Sequence, residues 1–152
     1  MERLEPPLEA KGMDRASRLE CPSWAWPHLH KAFGEATERE FRALQAVPPV
    51  DLRVNTLLAS REDVLDKIRA AGVAAMPTPF SPMGIRLKDC TRVVATLPGL
   101  LEGLVEPQDE GAQLVALLLG AEPGEHVVDY CAGAGAKSLA VACQMQNKGR
   151  LL

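Results

Sequence analysis

Between Asp129 and Ser138 the chain reads DYCAGAGAKS: an acid, a run of very small residues, a cation and a hydroxyl. Such a run suits a ligand that must approach the backbone closely. Without side chains in the way, the unpaired N–H groups at the start of a following helix can receive a carboxylate or a phosphate. Two standard versions of the turn fail here. A Walker loop needs G-x-x-x-x-G-K-[ST]; Lys137 and Ser138 supply its end, but Cys131 and Ala136 stand at both glycine positions. A dinucleotide fingerprint needs G-x-G-x-x-G; Gly133 and Gly135 match, and Ser138 takes the third place. What remains is an acid closing a strand, followed by Cys131, Ala132, Gly133, Ala134, Gly135 and Ala136. Lys137 sharpens the reading, because a cation in the first turn of a helix opposes the macrodipole and a bound anion would remove that conflict. A lysine that simply extends into solvent, and a tight turn with no ligand, satisfy the same residues.

The elements around this loop read as half of a nucleotide-type unit. Asp109 to Leu119 predicts a helix with Gly120 just past its end, and Pro123-Gly124 a turn. His126 to Tyr130 predicts a short strand, and a helix follows the loop to about Gln146. After a turn at Asn147-Lys148-Gly149 a second strand begins. Strand, glycine loop, helix, strand is the opening of a Rossmann-like βαβ unit.

Upstream, Asp51 to Leu57 alternates like a strand, placing Leu52 and Val54 on one face and Arg53 and Asn55 on the other, which is expected to meet solvent. Ser60 and Asp63 form a short capping pair for a helix whose stripe is Val64, Leu65, Ile68 and Ala71, with Gly72 as its stop. Extended pieces follow near Val73–Met76, Gly84–Leu87 and Arg92–Ala95. The expected organisation is α/β. It comprises a flexible leader over 1–22, a helical segment over 23–47 with a helix from Glu35 to Gln45, and an RNA-recognition-like α/β subdomain over 48–105. The truncated start of a Rossmann-like domain follows over 106–152.

Apolar residues at 47% allow a sizeable core, and a net charge of −3 argues against a generally basic nucleic-acid glove. Cys21, Cys90, Cys131 and Cys143 form no CxxC pair, which suits a reducing cytoplasm better than a disulfide framework. No apolar run is long enough to span a bilayer. Cys21, His28 and His30 match no standard zinc spacing and lack a fourth ligand, so no metal is expected. Trp24 and Trp26 suit either packing or base stacking, and Cys143 reads as core.

PGEHVVDYCAGAGAKSLAVA resembles the cofactor motif of the Sun/Nop (RsmB-like) family of RNA 5-methylcytosine methyltransferases. LRVNT at Leu52–Thr56 resembles that family's RVN segment, and PGLLEGLVEPQDEGAQLVA at Pro98–Ala116 resembles the stretch ahead of the motif. The three occur in the family's order and spacing, so the resemblance covers about residues 23–152. It implies S-adenosylmethionine as cofactor, held by Cys131 through Lys137 with Lys137 toward the methionine carboxylate. It also implies RNA, ribosomal above all, as partner, with Arg53 and Asn55 on the RNA-facing subdomain. The activity implied is methylation of cytosine C5. In the family a cysteine thiolate adds to C6 to make C5 nucleophilic, and that cysteine belongs to later motifs. None of the cysteines here takes the role, and the chain alone is expected to be inactive. Ala136 departs from the family's usual glycine, which weakens the site if that position needs positive φ or very close backbone approach. The rival expectation is a non-catalytic RNA-binding fragment.

Overall fold

The computed structural model describes residues 12–88, 97 and 102–152, which fall into two compact units divided between Pro48 and Pro49. In the first, Asp14 caps a one-turn helix α1 (Arg15–Arg18) by accepting from the Ser17 amide at 3.0 Å and the Ser17 hydroxyl at 2.7 Å. The turn ends in Leu19 and Cys21, which are buried against Trp26, Leu29 and Phe41. Part of the expected flexible leader is therefore packed, because one capped turn carries two apolar side chains into a small core. Helix α2 (Trp26–Phe33) has Pro27 in its first turn, where the missing amide costs nothing, and ends at Gly34 with φ +54°. A 3₁₀ turn over Gly34–Ala36 leads into helix α3 (Thr37–Leu44), so the helix expected from Glu35 begins two residues later. Trp26 stacks on His30 with ring centroids 5.9 Å apart, while Trp24 is exposed.

The second unit opens with strand β1 (Val50–Val54), the pivot of a four-stranded antiparallel sheet in the order β2-β3-β1-β4. The others are β2 (Ala75–Pro77), β3 (Gly84–Leu87) and β4 (Val105–Pro107). Register pairs Leu52 with Ile85 and with Pro107. Helix α4 (Arg61–Ala70) covers one face with Val64, Leu65 and Ile68, meeting Leu52, Val54, Ile85, Leu87 and Val105 in the main core. Its cap is the one the sequence predicts: Ser60 Oγ accepts from the Asp63 amide at 3.1 Å, and Gly72 follows the helix at φ +81°. The expected strand at Arg92–Ala95 lies outside the described residues.

The second face of β1 does not meet water, contrary to the expectation from alternation. Helix α5 (Glu110–Leu119), capped by Asp109 and ended by Gly120 in the left-handed region, lies over it. Asp51 and Arg53 are buried there. Asp51 accepts a fork from Arg86 at 2.7 and 2.8 Å and a 3.3 Å bond from the Glu110 amide. The Glu110 carboxylate in turn accepts the amides of Phe80 and Ser81 at 2.6 and 2.8 Å.

Strand β5 (His126–Val127) pairs in parallel with β6 (Arg150–Leu151), and helix α6 (Ala136–Gln144) connects them. The strand expected to reach Tyr130 is shorter as a ladder, though the Asp129 amide still donates to Leu152 at 2.7 Å. Ala116, Ala121, Ala140, Val141 and Met145 form the core between α5 and α6. Gly149 must be glycine: its φ is +119°, and a Cβ there would collide with the Glu125 carbonyl.

Candidate functional site: the loop between β5 and α6

Two glycines shape the loop. Gly133 has φ +56° and Gly135 has φ +84°, both in the left-handed region that side chains disfavour. The Gly135 amide closes the turn on the Ala132 carbonyl at 2.8 Å, and the Gly135 carbonyl receives the Leu139 amide at 2.8 Å. Ala136 is the first residue of α6 and has no positive φ. Its methyl therefore introduces no backbone strain, which answers the positive-φ half of the expectation attached to its departure from glycine.

The entrance to α6 is rich in unused donors. Gly135 caps it without a side-chain bond, and among the described residues the amides of Ala136, Lys137 and Ser138 have no protein acceptor. The Ser138 hydroxyl donates to Asp129 Oδ2 at 2.7 Å, tying the start of the helix to the end of the strand across the loop. This bond is not among the contacts expected from the sequence, although an acid nine residues before a serine, across a glycine turn, is a usable signal for it. Cys131, Ala132, Gly133 and Ala134 are exposed, as is Lys137. Lys137 borders a cavity of about 200 Å³ together with Asp129, Tyr130, Val128, Val115 and Leu119. Apolar walls, one acid, one cation and a row of free amides make a place for a ligand with an anionic end and a less polar body.

Arg53 and Asn55 are placed otherwise than expected. Arg53 is 1% exposed. Its Nε donates to Gln108 Oε1 at 2.7 Å, one terminal nitrogen to Glu106 Oε2 at 3.1 Å, and the other points at Cys143 Sγ at 3.8 Å. Asn55 is half-buried; it donates to the Gly103 carbonyl at 3.2 Å and accepts from the Cys143 thiol at 3.4 Å. A guanidinium so engaged has no face left for a phosphate, so a solvent-facing Arg53 is corrected to a buried one. Cys143, read as core, is instead a half-buried member of this polar group.

Of the residues weighed for a metal, Cys21 is buried in the first unit and His30 reaches Thr37 Oγ1 at 3.3 Å. The described residues hold no cluster of three or more His, Cys, Asp or Glu fit for a metal ion, and no helix long and apolar enough to cross a membrane.

Residues 21–94 match the model of the RsmF/B-like methyltransferase ferredoxin-like domain, which spans α2, α3 and the first three strands of the sheet. The ribosomal RNA small subunit methyltransferase B of Pseudomonas syringae pv. tomato is 39% identical over 126 residues, 82% of this chain and 28% of that protein. This chain belongs to the RsmF/B-like (Sun/Nop) methyltransferase family. The enzyme of the same name from Xylella fastidiosa is 37% identical over 77% of the chain and 28% of its own length. Among solved structures, a methyltransferase homolog protein from Pyrococcus horikoshii superposes with a TM-score of 0.82 at 26% identity, covering 95% of this chain and 47% of that one. The chain thus spans less than a third of the curated relatives named here and corresponds to part of an RsmF/B-like protein.

Proposed function

We propose that this chain carries the S-adenosylmethionine-binding loop of an enzyme that methylates C5 of cytosine in RNA, ribosomal RNA first of all, in the cytoplasm. The observation that supports it most is the loop: left-handed glycines at 133 and 135, three free amides at 136–138, and Lys137 beside the cavity. These residues fit the cofactor. The amides and Lys137 would hold its carboxylate, as a helix N-terminus favours an anion. The Asp129–Ser138 bond would keep the loop open, and the apolar cavity wall would take the less polar body. When bound, S-adenosylmethionine supplies an electrophilic methyl group. No cysteine described here is assigned to the attack on the base: Cys21 is buried, Cys131 lies in the cofactor loop, and Cys143 is bonded to Asn55. By itself the chain is proposed to bind and not to catalyse. The relatives' names, ribosomal RNA methyltransferases, support the choice of RNA.

Calorimetry with S-adenosylmethionine tests the reading. A cavity open on one side buries only part of a ligand, so saturable binding of roughly millimolar strength, about 4 kcal/mol, is expected. Lys137→Ala should weaken it severalfold. Absence of saturable binding, or affinity indifferent to that substitution, would count against the assignment.

A further inference from the structure

We propose that Arg53 is a positioning residue for the cofactor loop, acting through Cys143 and helix α6; the link to the cofactor rests on the function proposed above. Helix α6 has three seats. Its first turn is tied to Asp129 through the Ser138 hydroxyl at 2.7 Å, and Ala140, Val141 and Met145 pack on α5 through apolar contacts that carry no hydrogen-bond direction. The directional contacts described here between the four-stranded sheet and α6 meet at Cys143: the Arg53 guanidinium at 3.8 Å from Sγ, and Asn55 Oδ1 accepting the thiol at 3.4 Å.

Arg53 cannot wander. Its side chain is 2% exposed, Glu106 and Gln108 occupy its other nitrogens at 3.1 and 2.7 Å, and β1 lies in the middle of the sheet. Gln108 Oε1 accepts from Arg53 Nε at 2.7 Å, although Gln108 Nε2 is buried with no partner among the described residues. Cys143 lies near the far end of α6, about 10 Å along the axis from Ala136. A helix is stiff over that length, so a tilt of about 10° at Cys143 moves the loop end by about 2 Å, enough to spoil hydrogen bonds from the 136–138 amides. The arginine and asparagine of the RVN segment therefore set where the loop points through α6.

Hydrogen exchange of the 152-residue chain tests the coupling without any ligand. Arg53→Lys keeps a charge for Glu106 but not the fork, and Asn55→Ala removes the thiol's acceptor. Both should raise exchange of α6 amides severalfold, up to about tenfold, while the α4 amides stay protected. A purely structural role predicts that α4 and α6 lose protection together, or that neither does, and either result would overturn the proposal. Titration of the same variants with S-adenosylmethionine adds the functional arm. Affinity should fall in parallel with α6 protection, and unchanged affinity beside a loosened α6 would refute control of the cofactor loop. If the unsubstituted chain binds no cofactor, the cofactor assignment and the loop-control claim fall together, and the exchange data decide only the coupling.

Discussion

Gly135 and Ala136 are neighbours under opposite constraints. Gly135 turns the chain at φ +84°, where a Cβ costs roughly 1–2 kcal/mol. Ala136 has already entered the helix, where glycine is worse than alanine by up to about 1 kcal/mol. Gly135→Ala is therefore expected to destabilise the chain and weaken S-adenosylmethionine binding. Ala136→Gly should lower stability slightly and bring no gain in affinity. Denaturant melts with cofactor titrations check both, and tighter binding by Ala136→Gly would mean that the alanine does impair the site. The residue types at these positions were legible in the sequence; which of them carries the strained φ was not. Arg53 teaches the same lesson. Alternation correctly put it opposite Leu52 and Val54, but alternation does not say what covers that second face.

At the scale of elements, α4 shows how much local chemistry decides: Ser60, Asp63, the apolar stripe and Gly72 act within a dozen residues, and the helix forms where they place it. Helix α5 is half local. Asp109 and Gly120 mark its ends, yet Glu110 reaches two amides about thirty residues back in the chain. Burial pushes the Glu110 carboxyl upward, but the Ser81 and Phe80 amides, the Thr78 hydroxyl and the Arg86 charge outweigh it and hold the group below the ordinary glutamate value. A carboxyl depressed in the folded state stabilises the fold above its unfolded pKa, and that contribution is lost as the pH falls through the folded one. Wild type should thus be more stable than Glu110→Gln at neutral pH, and the gap should close with acidification below about pH 4.3. Thermal melts from pH 7 to 3 measure it; a gap that stays constant would show that the charge is irrelevant to the β2–β3 turn.

For the whole second unit, the sheet built by β5 and β6 has only two strands among the described residues, and apolar side chains stand around it in solvent. Leu118 is 86% exposed, Val128 67% and Tyr130 95%. Unpaired strand edges beside bare apolar surface favour association. The 152-residue chain is expected to self-associate at micromolar concentrations, and Leu118→Lys to reduce this without lowering the melting temperature. Sedimentation velocity across a concentration series checks it, and a strictly monomeric wild type would show that these side chains are tolerated in water.

The sequence by itself determined what depends on near neighbours: the caps at Ser60 and Asp109, the stops at Gly72 and Gly120, and the glycine loop with its cation. It also carried the family, because the ordered motifs and their spacing survive in the letters alone. Only the tertiary structure decided what depends on distant segments meeting. It buried Leu19 and Cys21 in what reads as a charged leader, and it joined Asp129 to Ser138 across the loop. It also closed the polar face of β1 under α5 and α6, so that Arg53 meets Glu106, Gln108 and Cys143 instead of water. The physical reason is that a hydrogen bond or a buried charge is set by which groups lie within about 3 Å, and across 50 or 90 residues of chain separation no local pattern fixes that distance.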